Sequence, residues 1–126
     1  MKTTRDLIDY VRSHLVAQGE RCANERGTCR YRFDAKSCAV GCLIDDDLYR
    51  PDFEGHSAMH DSVVMAIQIT HRIALSDEQL YVLLRLQYIH DQREPKHWST
   101  IITEYVSDLE PSVLDEELKP AKYMSV

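Results

Sequence analysis

Residues 29–55 read CRYRFDAKSCAVGCLIDDDLYRPDFEG, and the fold turns on whether the apolar run at the centre of this stretch is helix or strand. Three of the four cysteines lie here, two of them in the run Cys38-Ala39-Val40-Gly41-Cys42-Leu43-Ile44. Ser37 is a good helix N-cap, and an apolar surface all round marks a buried helix, so residues 38–44 are expected to be helical. A run this short also suits a buried strand, which periodicity does not exclude. Gly41 inside a helix costs roughly 0.5–1 kcal/mol relative to Ala, and the cost makes sense where another backbone passes too close for a β-carbon. Upstream, Cys29, Tyr31 and Phe33 alternate with Arg30 and Arg32, the pattern of a short strand with its apolar side turned inward. Downstream, residues 45–55 with Pro51 read as an irregular connection.

The flanking sequence is helical in pattern. Thr3 or Thr4 caps a first helix with the stripe Leu7, Ile8, Val11, Leu15 and Val16, and Gly19 stops it. Ser57 is expected to begin another helix carrying Met59, Val63, Ala66, Ile67, Thr70 and Ala74. Ser76 and Gln79 form a capping box ahead of Leu80, Leu83, Leu84, Leu86 and Ile89. Pro95 ends that helix and opens the next, in which Trp98, Ile101, Ile102, Tyr105 and Leu109 recur at helical spacing. The expectation is a mainly α chain of about five helices with one short β-hairpin or strand element. Residues 1–118 are expected to form a single compact domain, and 119–126 a flexible C-terminal tail.

Composition narrows the function classes. Of 126 residues, 44% are hydrophobic and 29% charged, which is globular usage, and no apolar run approaches a membrane span. No export signal is recognised, so a cytoplasmic chain with free thiols is expected. With 21 acidic against 15 basic residues, the net charge of −6 opposes binding to a phosphate backbone over a broad face. The acids concentrate late: Glu104, Asp108, Glu110, Asp115, Glu116 and Glu117 are the ionisable side chains with carboxylates in a stretch that has no base. Such an end is either a solvated surface or a partner-binding face that steers toward a basic cleft.

Two blocks carry a resemblance. Cys29-x-Tyr31-Arg32, Cys38-Ala39-x-Gly41-Cys42-Leu43-Ile44 and Asp47-x-Tyr49-x-Pro51-x-x-Glu54-Gly55 form the first; Leu86-Gln87-x-Ile89-His90-Asp91 and Pro95-x-x-Trp98 form the second. Together they resemble a recurrent set of short phage and prophage proteins without an assigned function. The resemblance spans roughly residues 5 to 107 and implies a phage origin and a small accessory role, and no reaction. The acidic C-terminal extension and a longer segment before Ser76 depart from that set.

Several chemistries can be set against plain packing. On a helix, Cys38 and Cys42 would share a face and could ligate zinc with Cys29, although the spacing from Cys29 to Cys38 is wider than usual ligand pairs; buried cysteines also serve as small core residues. Cys38 in a first helical turn would be an activated thiol if His90 served as its base. Adjacent helix residues point about 100° apart, so Asp91 is not expected to orient the His90 ring. His90 reads better as a hydrogen-bonded tie between its helix end and the hairpin. Arg30 and Arg32 are candidates to grip a phosphate or small nucleotide, or to pair with nearby acids. The three aspartates 45–47 lack the spacing of a calcium loop. The leading expectation is a protein that is not an enzyme and needs no cofactor. It would bind and inhibit a host protein with a basic nucleic-acid-binding cleft, such as a CRISPR-Cas component, and make no direct contact with nucleic acid or membrane.

Overall fold

The computed structural model describes residues 1–121. Five α-helices and two small antiparallel strand pairs make up the fold: α1 (Thr4–Gln18), β1 (Arg32–Phe33), β2 (Lys36–Ser37), α2 (Asp61–His71), β3 (Ile73–Ala74), α3 (Asp77–Gln92), α4 (Trp98–Asp108), α5 (Pro111–Leu114) and β4 (Lys119–Pro120). The mainly α fold with a hairpin is as expected. No helix among the described residues is long and apolar enough to cross a membrane.

Local signals hold at the helix ends where side chain and backbone cap each other. Thr3 accepts from the Asp6 N–H and the Asp6 carboxylate accepts in return, closing a capping box on α1, while Gly19 takes the left-handed conformation at φ 71°. Ser76 and Gln79 close the same box on α3. Gln79 reaches further, because its amide also donates to the Thr4 hydroxyl and the Glu117 carbonyl at 3.2 Å each. This single buried side chain therefore starts α3 and ties it to both ends of the chain.

The centre of the fold is α1, which packs on α3, α4 and the turn at Gly41–Leu43. Leu7, Val11, Leu15, Leu43, Leu86 and Ile102 are all fully buried there. The phase of α3 is rotated from the expected one. Val82, Leu83, Leu86, Ile89 and His90 are buried, whereas Leu84 is exposed and Leu80 half-buried.

Residues 38–44 are buried but are not an α-helix: only a 3₁₀ turn forms, at Gly41–Leu43. The turn tightens at its far end, where the Leu43 and Ile44 N–H groups bond three residues back, to the Val40 and Gly41 carbonyls. Cys38 N–H donates to the Tyr31 carbonyl at 3.2 Å and Val40 N–H to the Gln87 side chain at 2.9 Å, while Ser37 lies in β2 instead of capping. Gly41 sits where a β-carbon would strike the Tyr31 carbonyl oxygen, the close backbone approach expected of it.

Other boundaries move too. The expected strand at 29–33 shortens to Arg32–Phe33, and Cys29 instead bridges Ala23. The hairpin register, Arg32↔Ser37 and Phe33↔Lys36, leaves Asp34 and Ala35 as a two-residue turn with φ 51° and 63°. α2 starts at Asp61 with His60 as its cap, because Ser57 is held in a local turn by the Met59 N–H. Pro95 opens a 3₁₀ turn, and the α-helix proper begins at Trp98.

At the C-terminal end, Thr4 N–H donates to the Glu116 carbonyl and Leu118 N–H to the Lys2 carbonyl. Lys119 and Pro120, assigned from sequence to the tail, pair with Ala74 and Ile73, and Ala121 is buried. The remainder of the tail, 122–126, lies outside the described residues.

Candidate functional site

The two sequence blocks meet at one place. The C-terminal half of α3 supplies Gln87, His90 and Asp91, and against it lie the chain segments carrying Cys22, Cys29 and Val40. His90 is fully buried and stacks on Trp98, with ring centroids 5.4 Å apart. The Cys22 backbone N–H donates to His90 Nε2 at 3.0 Å, which makes that nitrogen an acceptor. The proton of the neutral ring is therefore on Nδ1, which lies 2.7 Å from Asp91 Oδ1. Gln87 completes the set by donating to the same Asp91 oxygen at 2.9 Å while accepting from Val40.

Asp91 does orient the His90 ring, contrary to the geometric expectation. Nδ1 is the ring nitrogen nearer the backbone, and in the last turn of α3 the short aspartate side chain folds back to reach it. His90 does tie its helix end down, but to Cys22 in the loop after α1 and not to the hairpin at 32–37.

Glu54 organises the other side. Its Oε1 accepts from the Tyr31 N–H at 2.9 Å and faces the Arg30 guanidinium at 3.1 Å; its Oε2 accepts from the Arg32 N–H at 3.2 Å and the Tyr49 hydroxyl at 2.6 Å. Arg32 is held by the Gly41 and Ile44 carbonyls and the Asp46 carboxylate, and stacks over Tyr49. Arg30 and Arg32, the candidates for phosphate, are thus engaged in the ion pairs and carbonyl contacts of the alternative reading.

The thiols are all free. Cys38 is fully buried, and its sulfur accepts from the Gly41 N–H at 3.2 Å; burial pushes its pKa far up. Cys42 donates to the Ala39 carbonyl, and burial raises it to about 12. The activated thiol weighed as an alternative for Cys38 has no geometry to support it, because no helical first turn forms around the residue and it is fully buried. His90, the base that alternative required, has both ring nitrogens engaged elsewhere.

Among the described residues, the ligand atoms that converge are those of Cys29, His90 and Asp91, all within 4.8 Å of one another. The set Cys29, Cys38 and Cys42 is not brought together. Cys29, His90 and Asp91 do not fit a zinc ion either. Nδ1 of His90 carries the proton, and moving that proton to Nε2 would set it against the Cys22 N–H, so the ring has no lone pair to offer. Burial, and then the neighbouring Asp91 charge, raise the Cys29 thiol to about 11, far from the thiolate a metal needs.

Beside this network a cavity of about 460 Å³ opens between the 54–58 segment and α3, with Cys29, Tyr31, Glu54, Leu84, Tyr88 and Asp91 among its walls. Sequence reading missed it, since the residues that line it come from three segments, 29–31, 54–58 and 84–91, each more than twenty positions from the next. The pairing of Gln87 with Asp91 four residues on was the available signal. The acidic residues lie elsewhere. Glu104, Asp108, Glu110, Asp115 and Glu117 are exposed and Glu116 half-buried. No protein-family model, curated protein or solved structure matches the chain.

Proposed function

We propose that this chain is a small accessory protein that works by binding a basic surface of a host protein rather than by catalysis. One observation carries the reading: five of the six late carboxylates are exposed on a frame pinned by backbone hydrogen bonds, and Asp115 alone of the six has an ion pair among the described residues, with Arg5 at 3.8 Å. Both partners of that pair are half or more exposed, so it neutralises little. A fixed, unneutralised set of carboxylates attracts a positively charged cleft and accelerates encounter with it.

The enclosed thiols and the fully engaged His90 favour this reading over a thiol or zinc enzyme. The occupied guanidinium groups favour it over nucleotide sequestration. The resemblance to phage proteins makes a bacterial defence component, such as a CRISPR-Cas nucleic-acid channel, the proposed class of target, with the host cytoplasm as the place of action.

Affinity capture from host lysate tests the proposal. Reversal of Asp115, Glu116 and Glu117 to Lys is expected to abolish retention of the captured protein and to leave the melting temperature nearly unchanged. The contacts that pin this segment run through its backbone, and of the three side chains Asp115 has the exposed pair with Arg5. Unaltered capture by the reversed protein rejects the acidic face.

A further inference from the structure

We propose that the cavity beside Asp91 seats a monovalent organic cation, a guanidinium or primary ammonium group. Three wall residues bear charge: Arg30, Glu54 and Asp91. Arg30 and Glu54 neutralise each other at 3.1 Å, and both oxygens of Glu54 are engaged. Asp91 differs. Its Oδ1 accepts from the Gln87 amide and from His90 Nδ1, and the Cys29 thiol also bonds to its carboxylate; none of these donors brings charge, because the Cys22 N–H occupies the His90 nitrogen that would otherwise take a second proton. The carboxylate stands on the cavity wall with 29% of its side-chain surface exposed.

A carboxylate whose neighbours donate hydrogen bonds without bringing charge leaves a net negative site, and a concave wall of lower dielectric strengthens its field. Anions are disfavoured there. A divalent metal is disfavoured too, since His90 has no lone pair to give and one carboxylate oxygen is too small a donor set. An organic cation needs only one carboxylate oxygen and a face to rest on. Tyr88 supplies such a face on the wall; Arg85, outside the wall, already lies 5.0 Å from the centre of that ring, which shows the ring in cation contact. The site shares no residue with the acidic end, so it stands or falls separately from the proposed capture surface. The same chemistry is offered by an arginine or lysine side chain of a partner and by a free small amine.

Proton–nitrogen correlation NMR tests this, titrating the full chain with N-acetyl-arginine methylamide, with its neutral citrulline counterpart, and with a blocked Gly-Arg-Gly peptide. Saturable shifts are expected at the amides of Gly55, Ala58 and Tyr88, at least about tenfold weaker with the citrulline compound and in Asp91→Asn, which keeps the Oδ1 acceptor and removes the charge. Tighter binding of the peptide assigns the cation to a partner's side chain, and equal binding assigns it to a free small molecule. Should Asp91→Asn unfold, Leu84→Lys sets an ammonium at the wall, leaves the network intact and is expected to abolish the shifts. Equal response to arginine and citrulline compounds, persistence in Leu84→Lys, or no shift at these amides overturns the proposal.

Discussion

The backbone N–H of Cys22 donates to Nε2 of His90 across 3.0 Å, and this one contact decides what the buried imidazole can do. It sets the tautomer, turns Nδ1–H toward Asp91 and withholds the ring from both metal and thiol. The same relationship joins the loop after α1 to the last turn of α3, so a position that reads as a candidate base is a fastener.

His90→Ala is expected to lower the unfolding free energy by roughly 2–4 kcal/mol, from a cavity under Trp98 and an unsatisfied Cys22 N–H. Urea denaturation measures this. Chelator dialysis of the native protein, followed by the same curve, is expected to change nothing, and a fall in midpoint after chelation would contradict the tautomer argument.

Gly41→Ala places a methyl group against the Tyr31 carbonyl, which is backbone and yields only by moving β1. A loss of roughly 1–3 kcal/mol is expected, the range for overpacking a rigid site. Thermal melts of the two proteins report it, and an unchanged melting temperature would show that residues 38–44 can shift freely.

Ala35→Gly acts in the other direction. Ala35 holds φ 63° in a two-residue hairpin turn of the kind that favours glycine, and relieving its β-carbon is expected to gain about 0.5–1 kcal/mol after glycine's entropic cost. A higher urea midpoint is the expected readout.

The Cys29 thiol, raised to about 11, is expected to react slowly with iodoacetamide at pH 8, where about one molecule in a thousand carries the thiolate. Part of that shift comes from the Asp91 charge, so Asp91→Asn is expected to speed alkylation of Cys29, as followed by peptide mass mapping. Equal rates in the two proteins would mean that burial alone holds the thiol protonated.

His71 links stability to acid. Burial lowers its pKa in the folded state below the ordinary 6.5, against a smaller opposing effect of its bond to the Leu43 carbonyl. The unfolded chain therefore takes up the proton first, and stability that is full above about pH 6.5 declines as pH falls through the unfolded value. His71→Gln is expected to flatten this part of the stability profile between pH 7 and 5.

The helix ends at Thr3–Asp6, Gly19 and Ser76–Gln79 were legible in the linear sequence because each is closed by groups within four residues of one another, and so was the burial of residues 38–44, because apolar side chains leave water in any conformation. The conformation of those residues was not legible. Ser37 is drawn into the hairpin, Tyr31 and Gln87 accept from the Cys38 and Val40 amides in place of a side-chain cap, and a run too short to propagate a helix closes only a 3₁₀ turn. Ser57 likewise carries a cap signal but serves a local turn, which moves the start of α2 to Asp61. The protonated nitrogen of His90 and the cavity beside Asp91 were likewise set by tertiary structure, since each depends on groups far apart in the chain whose distance is fixed by packing.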